Sequence, residues 1–341
     1  MILRVSEKEL VLKIEDFVGK LSTEDVFSGS ILVARHGEVL FKNAYGLASK
    51  GYSIKNKVDT KFNLGSMNKM FTAVSIARLA EEGLLNFNEL VGKYLPHYPP
   101  QISNNITIHQ LLTHTSGMGS YWNDKYKASV ARIKSVDDYT QLFIDEPLLF
   151  EPGTKWGYSN AGYIVLGAII ESITGKDYFE VIRDFVYKPA NMIHTESYDL
   201  EYDVPNLAIG YTRLGVEEKG AWRNNLFLHV VKGGPAGGGY STVEDLHNFD
   251  IAIRNHKLLS SERTELVTRG KVEVSSNHKY GYGFGEQMNK GERIVGHNGG
   301  FPGINSTLKM YMHSGYTLAI LSNYDKGASI IEKEFNELLL N

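Results

Sequence analysis

Strand-like runs occur near both ends of this 341-residue chain, and helical periodicity fills the region between them. Near the start, Gly29–Arg35 and Val39–Ala44 read as a β-hairpin that follows a helical pattern over residues 6–20. Near the end, the strand-like runs are Tyr282–Gln287, Ile294–His297, Thr307–Tyr311 and Thr317–Ser322, and a helical segment follows at Ile330–Leu340. The pattern predicts an α+β fold in which both ends of the chain contribute to one mostly antiparallel sheet flanked by helices.

The middle of the chain, residues 87–230, is irregular and mainly helical, and it predicts an inserted helical subdomain. The sheet subdomain would then consist of residues 1–86 and 231–341, and the two together would form one catalytic unit. This division suits the length, because single cores stop growing at about 250–300 residues. Two helices are the clearest: Met70–Glu82, with its apolar residues expected on one face, and one containing Tyr163–Ile173.

Composition narrows the classes of function. The chain has 36 basic and 39 acidic side chains and no block of like charges, so nucleic acid is not expected as a partner. It has no cysteine for disulfides or thiolate sites. No run of about 18 apolar residues predicts a membrane span. Residues 1–20 lack the apolar core of a signal peptide, so the chain as written is expected in the cytoplasm, or outside it if a signal has been removed.

A metal site is not predicted. His109 and His114 lie five residues apart, but the chain has no His-Glu-x-x-His sequence and no paired acidic ligands around them. Packing or hydrogen bonding is the expected role of both rings, and no cofactor is expected.

The first segment with chemical potential is Asn63–Lys69, where a glycine turn leads into the strong helix. Ser66 at a helix start would lie near unpaired N–H groups and the positive end of the helix dipole, which suits a nucleophile. Lys69 follows three residues later and shares its helix face. Burial would favour a neutral amine able to accept the Ser66 proton. A helix cap followed by a solvated lysine would give the same pattern, so the motif alone is weak.

The second segment, residues 151–160, is a polar, glycine-containing loop that runs into the helix of Tyr163. Its Tyr158 offers a phenol whose pKa Lys69 could lower, which would make it a proton shuttle. Its Asn160 offers an amide that can hold both the lysine and a substrate carbonyl. Packing and helix capping are the alternatives for these residues.

The third segment, Gly296–Gly303, follows a strand signal. Its glycines would let the backbone approach a substrate, and a backbone N–H there could complete an oxyanion hole with that of Ser66. The alternative is an ordinary glycine-rich turn. A Ser-His-Asp triad through His297 ranks lower, because the chain has no Gly-x-Ser-x-Gly elbow and no assignable acid.

Taken together, Ser66–Lys69, Tyr158–Asn160 and His297–Gly299 resemble the active-site signature of the serine β-lactamase-like superfamily. The branch most similar contains class C β-lactamases, D-Ala-D-Ala carboxypeptidases, D-aminopeptidases and β-lactamase-fold esterases. Further similar stretches are Leu111–Gly117, Glu151–Gly153 and Pro235–Thr242, so the resemblance extends from about residue 27 to 325.

The resemblance implies a role for each matching position. Ser66 would be the nucleophile, with Lys69 and Tyr158 as general base and acid and Asn160 as a positioning group. The backbone amides of Ser66 and Gly300 would form the oxyanion hole. The substrate-binding residues would be Asn160, His297, Asn298, Gly299 and Gly300, with His297 in the place of the third-motif residue. The implied reaction proceeds through an acyl-enzyme that water or another acceptor resolves.

The third motif departs from class C β-lactamases, which usually carry Lys-Thr-Gly where this chain has His297, Asn298 and Gly299. A histidine that is mostly neutral near pH 7 replaces a fixed positive charge, so strong β-lactam recognition is not expected. The favoured substrates are small esters, amides or D-amino-acid peptides. The alternatives are a true β-lactamase or penicillin-binding DD-carboxypeptidase, and a catalytically inactive binding module of the same fold.

Two aromatic residues after the Thr-Ser-Gly stretch bear on substrate choice. Tyr121 and Trp122 could line an acyl or leaving-group pocket, or they could be core aromatics of the helical subdomain. The sequence favours neither reading. The oligomeric state is not predicted either.

Overall fold

The computed structural model describes residues 6–216 and 220–340. Residues 1–5, 217–219 and 341 belong to the predicted subdomain ranges but lie outside the described residues. In the two described ranges, no helix combines the length and the apolar character needed to cross a bilayer.

The strands, in chain order, are β1 (Gly29–Arg35), β2 (Glu38–Tyr45), β3 (Leu47–Ser49), β4 (Ile54–Lys55), β5 (Phe62–Asn63), β6 (Tyr211–Thr212), β7 (Arg223–Asn224), β8 (Tyr240–Ser241), β9 (Val272–Ser275), β10 (His278–Tyr280), β11 (Gly285–Asn289), β12 (Glu292–Phe301), β13 (Ile304–Tyr311) and β14 (Tyr316–Ser322). One antiparallel sheet has the order β2-β1-β14-β13-β12-β11-β10-β9. The remaining strands form two-stranded pairs, β3 with β4, β5 with β8 and β6 with β7.

The α-helices, in chain order, are α1 (Glu7–Thr23), α2 (Asn68–Glu81), α3 (Pro100–Ser103), α4 (Ile108–Leu112), α5 (Asp124–Ser129), α6 (Val136–Thr140), α7 (Asn160–Thr174), α8 (Tyr178–Ile182), α9 (Val243–Arg254), α10 (Ser261–Thr268) and α11 (Gly327–Leu340). Shorter 3-10 turns occupy Gly65–Met67 and Val91–Lys93, and a π-helical turn at Arg183–Tyr187 follows α8.

The sheet has a core on each face, because successive strand residues point to opposite sides. Ile31 of β1 packs in the core made with α1 and α11. The next residue, Leu32, packs in the larger core on the other face, which includes α2 and α9. The predicted antiparallel sheet flanked by helices is therefore confirmed, with the first strands next to the last one.

Helix α2 is buried on nearly every side, which corrects the prediction of a single apolar face. Even Asn68, Lys69 and Thr72 are buried, and only residues at its C-terminal end reach solvent. The reason is its position, since α7, α8 and α10 all contact it. Polar side chains near its start must therefore find partners inside the protein.

Helices α3–α8 lie within the range 87–230 that was predicted to be mainly helical; the subdomain boundaries stay a prediction. The sequence prediction omitted β9, β10, α9 and α10. In β9, half-buried and exposed residues alternate at the sheet edge, but the strand has only four residues, so the alternating pattern is short. The predicted strand at Tyr282 begins only at Gly285.

Candidate active site

Ser66 lies in the 3-10 turn immediately before α2. The turn depends on Gly65, whose φ of +52° lies in the left-handed region that favours glycine. A Cβ atom at Gly65 would come within 2.9 Å of the backbone nitrogen of Gly300. The absence of a side chain there lets the serine turn approach the end of β12 closely.

Lys69 is the second residue of α2 and has no exposed surface. Its Nζ donates to Oδ1 of Asn160 over 2.8 Å and to the carbonyl oxygen of Ala236 over 2.6 Å. Burial lowers the pKa of Lys69 well below its ordinary value of 10.5. A neutral amine has two N–H bonds and one lone pair, so these two acceptors leave the lone pair free to take a proton.

Tyr158 lies beside both residues. The neighbouring Ser66 side chain acts to lower the pKa of the Tyr158 hydroxyl, and the centroid of the Tyr158 ring is 4.9 Å from Nζ of Lys69. Although 39% of the residue's surface is exposed, burial of its hydroxyl raises the pKa of Tyr158 by more than Ser66 lowers it. The sequence-based expectation of a lowered pKa is therefore wrong, because desolvation of the phenol disfavours the phenolate more strongly than the neighbouring Ser66 favours it.

Asn160 begins α7 and is positioned from both sides. Its Oδ1 accepts from Lys69, and its Nδ2 donates to Oγ of Ser120 over 3.2 Å. The preceding Ser159 caps the helix, accepting from the N–H of Gly162 and donating to the carbonyl oxygen of Gly119. The amide that meets Lys69 is thus held in a fixed orientation.

His114 holds the segment that carries Tyr158, a function that the sequence did not reveal. Its carbonyl oxygen accepts from the N–H of Gly157 over 2.8 Å, and its Nδ1 accepts from the N–H of Ser159 over 3.1 Å. Its ring centroid is 4.3 Å from that of Tyr158. The sequence predicted packing or hydrogen bonding for this ring, and the ring forms hydrogen bonds. Its position in the Leu111–Gly117 stretch was the only feature of the sequence that connected it with the site.

His297 lies on β12 behind the site, in a buried network. Its Nδ1 is 2.6 Å from the carbonyl oxygen of Asn298, and its Nε2 is 2.9 Å from the hydroxyl of Tyr280. A carbonyl oxygen only accepts, so in the neutral ring Nδ1 carries the proton and Nε2 accepts from Tyr280. Burial and the nearby Lys69 lower the pKa of His297 to about 3. With both nitrogens engaged, the ring makes no bond to Ser66. The role of Tyr280 was not predicted from the sequence.

The side chain of Asn298 does not reach the site, which corrects its assignment as a substrate-binding group. It is exposed on the other face of β12, where Nδ2 donates to Oε2 of Glu332 over 3.1 Å. The alternation of side chains along a strand explains this, since His297 and Asn298 must point to opposite faces.

Gly299 and Gly300 bring the edge of β12 against the serine turn. A Cβ at Gly299 would overlap the carbonyl oxygen of Leu64 and Oγ of Ser306. A Cβ at Gly300 would meet nothing within 4 Å, and this residue contributes to the lining of the cleft. The backbone of Gly300 therefore borders the space in front of Ser66.

An open cleft lies in front of Ser66. Asn160 and Gly300 contribute to its lining, and Lys69 lies buried behind it. A hydroxyl, a neutral amine, a phenol and an amide thus converge from the starts of two helices. A base beside a nucleophile, with a proton donor in reach, is an arrangement suited to acyl transfer.

Comparison with known proteins identifies the family of this chain. A model of the Beta-lactamase family matches residues 14–340. Penicillin-binding protein 4* of Bacillus subtilis (strain 168) is 30% identical over 328 residues, which cover 90% of this chain and 70% of that protein. The crystal structure of a penicillin binding protein from Bacillus halodurans is 29% identical, with a TM-score of 0.86 over 94% of this chain and 99% of that chain.

A more distant likeness concerns the fold alone. The D-amino acid amidase of Ochrobactrum anthropi SV3, solved in complex with L-phenylalanine amide, is 22% identical, with a TM-score of 0.81 over 96% of this chain and 98% of that chain. The match over residues 14–340 and the antiparallel sheet agree with the resemblance inferred from the three motifs. The chain belongs to the beta-lactamase family, whose members related to it are serine hydrolases with this fold.

Proposed function

We propose that this protein hydrolyses uncharged esters and amides, including derivatives of D-amino acids, through an acyl-enzyme on Ser66. The observation that carries the proposal is the environment of Lys69. This side chain is buried beneath the cleft and hydrogen-bonded to Asn160 and Ala236, while Tyr158 neighbours both Ser66 and Lys69. A buried lysine that packing alone required would be replaced by an apolar side chain at lower desolvation cost.

In the acylation step, Oγ of Ser66 attacks the carbonyl carbon, and its proton passes to the lone pair of Lys69. The carbonyl oxygen becomes an oxyanion, which the backbone N–H groups of Ser66 and Gly300 stabilise. The bond to the leaving group then breaks. Tyr158 protonates the leaving oxygen or nitrogen and recovers a proton from the ammonium of Lys69.

Deacylation repeats these transfers with water in place of the leaving group. Water attacks the acyl carbon and gives its proton to Lys69, and Oγ of Ser66 leaves with a proton returned through Tyr158. The raised pKa of Tyr158 suits this role, because a phenol that stays protonated can donate. Lys69 and Tyr158 are then both neutral at the start of each half-reaction.

A penicillin-recognising enzyme is the second candidate, and the similarity to penicillin-binding protein 4* favours it. Against it stands the third motif, where the neutral, fully bonded ring of His297 offers no positive charge to a substrate carboxylate. A mass gain at Ser66 after incubation with a labelled penicillin would support this candidate.

The deciding experiment compares wild type and Ser66→Ala on p-nitrophenyl acetate after subtracting spontaneous hydrolysis. Ser66→Ala should abolish turnover while the melting temperature changes by no more than a few degrees. Ser75→Ala is the matched control, because Ser75 is a buried serine of the same helix whose hydroxyl donates to the carbonyl oxygen of Phe71. Full turnover by Ser66→Ala would refute the proposal. Failure of wild type to react with any fluorophosphonate or β-lactam would favour the inactive binding module.

A further inference from the structure

The wall of the cleft on the helical side is aromatic. Tyr121, Trp122, Tyr126 and Tyr139 line it there, and Phe301 lines it from the end of β12. Apolar walls with few polar groups are typical of sites that bind small organic molecules. Four aromatic rings on one wall exceed what the chemistry at Ser66 requires.

The rings are fixed in place. The hydroxyl of Tyr126 donates to the carbonyl oxygen of Leu228 over 3.3 Å, and that of Tyr139 donates to the carbonyl oxygen of Lys232 over 2.8 Å. The ring of Tyr121 packs between them, with its centroid 5.9 Å from that of Tyr126 and 5.3 Å from that of Tyr139. The wall is therefore formed before any substrate arrives, which reduces the entropy lost on binding.

Trp122 and Phe301 bridge the cleft between the helical region and the sheet. Their ring centroids are 5.6 Å apart at an interplanar angle of 64°, an edge-to-face contact. Trp122 is 50% exposed, so a large apolar surface faces solvent at this end of the cleft. An aromatic group entering beside the pair would cover that surface.

Charge is missing from the same space. Within the described parts of the chain, no Asp, Glu, Lys or Arg side chain lines the cleft. Its one histidine, His229, has Nδ1 3.0 Å from the carbonyl oxygen of Val230, and burial lowers its pKa, which favours the neutral ring. A carboxylate or ammonium group entering the cleft would lose hydration without gaining an opposite charge.

The position of the cleft relative to Tyr158 identifies which half of a substrate it receives. Ser66 and Gly300 line the cleft, and Tyr158 does not. In the mechanism proposed above, the leaving group takes its proton from Tyr158, so it departs on that side. The aromatic wall is then left for the acyl group.

We infer that the cleft selects acyl groups that are uncharged and carry an aryl ring, with Trp122 and Phe301 contacting that ring. The inference rests on the proposed acyl-enzyme function and adds the substrate class to it. It makes Trp122 a specificity residue, which resolves the choice between pocket and core that the sequence left open.

The test uses one leaving group and two matched pairs of acyl groups. For wild type, kcat/KM for p-nitrophenyl 3-phenylpropionate should exceed that for p-nitrophenyl propionate by about ten- to a hundredfold, as expected for burying a phenyl ring. The octanoate ester should also exceed the mono-p-nitrophenyl ester of suberic acid, which has the same length and a terminal carboxylate. A phenylpropionate-to-propionate ratio near one, or a preference for the suberate, would overturn the inference.

Trp122→Ala should lower the phenylpropionate-to-propionate ratio by about fivefold or more, since part of the ring's contact surface is removed. Tyr202→Ala is the control, because Tyr202 is a 73% exposed aromatic residue outside the cleft, and its ratio should match wild type. If Trp122→Ala does not fold, Phe301→Ala tests the other half of the pair. An unchanged ratio in a folded variant contradicts the inference.

Ser66→Ala separates the two proposals. Hydrolysis that survives in Ser66→Ala refutes the acyl-enzyme function itself. Hydrolysis that depends on Ser66 but shows no aryl preference refutes only the substrate class.

Discussion

Nζ of Lys69 donates a 2.8 Å hydrogen bond to Oδ1 of Asn160, joining the first turn of α2 to the first turn of α7. Both side chains are buried, so neither amine nor amide exchanges this partner for water. The bond explains how two segments 91 residues apart present their functional groups to one cleft. In the proposed mechanism, the lysine is therefore important for both stability and catalysis.

Replacing Lys69 by methionine tests the proposed base. Lys69→Met keeps a straight apolar side chain of similar length but removes the amine, so kcat/KM for p-nitrophenyl acetate should fall by about 10²–10⁴-fold, the usual contribution of a general base. Lys333→Met, at an exposed position on α11, is the control and should retain full activity. Activity of Lys69→Met within threefold of wild type would exclude Lys69 as the base.

The same variant should change how stability depends on pH. In the unfolded chain Lys69 keeps its proton up to about pH 10.5, whereas burial lowers its pKa in the folded protein. Between the two pKa values the unfolded state binds more protons, so the stability of wild type rises with pH through that window. Lys69→Met lacks this contribution.

The free energy of unfolding of Lys69→Met, relative to wild type, should therefore decrease as the pH rises from 7 toward 10. Urea denaturation of both proteins at three pH values in this range measures it. A difference that stays constant with pH would show that Lys69 has the same pKa in both states.

His297 should make the protein sensitive to acid. Its pKa is about 3 in the folded protein and 6.5 as an ordinary histidine, so below pH 6.5 the unfolded chain binds a proton that the folded protein does not. Stability is lost as the pH falls through this window. The unfolding free energy of His297→Gln minus that of wild type should therefore increase by roughly 2–3 kcal/mol between pH 7.5 and pH 4.5.

The comparison for His297→Gln contains its own control. Between pH 7 and 8 this histidine is neutral in both states, so the difference between variant and wild type should not vary there. Chemical denaturation measures the stability of both proteins from pH 6.5 to 4.5. If both lose the same amount of stability over this range, the assignment of a buried neutral ring is contradicted.

Two adjacent glycines on β12 should respond differently to alanine. Gly299→Ala places a methyl group against the carbonyl oxygen of Leu64 and Oγ of Ser306, so the protein should lose about 1–3 kcal/mol of stability, or more. Gly300→Ala meets open space and should change stability by less than about 0.5 kcal/mol. Thermal unfolding measures both, and equal losses in the two variants would contradict the described packing.

The sequence predicted which residues meet in the site better than it predicted the directions of their pKa shifts. The resemblance of the three motifs to one active-site signature placed Ser66, Lys69 and Asn160 together, whereas helix starts and glycine turns alone left capping and packing as alternatives. The pKa direction of Tyr158 could not be predicted, since it depends on how deeply α2 is buried, and that depth follows from packing of distant helices.

Other parts of the site left no signal in the sequence. Ala236 contributes only its backbone carbonyl to Lys69, and any residue type supplies the same atom. Tyr280 is one of 20 tyrosines, and nothing in its neighbourhood along the chain distinguishes it. Asn298 is different, because the two-residue period of a strand could have excluded it once His297 was assigned to the inner face.

The strand order has a consequence for biosynthesis. β1 pairs with β14, and Gly29 therefore cannot pair with Ser322 until almost 300 further residues have been translated. Until then the nascent chain exposes an open strand edge, which is prone to aggregation and a target for chaperones. The serine turn likewise meets Gly300 only after β12 emerges. Hydrolytic activity in a cell extract would therefore mark molecules whose last strand has docked.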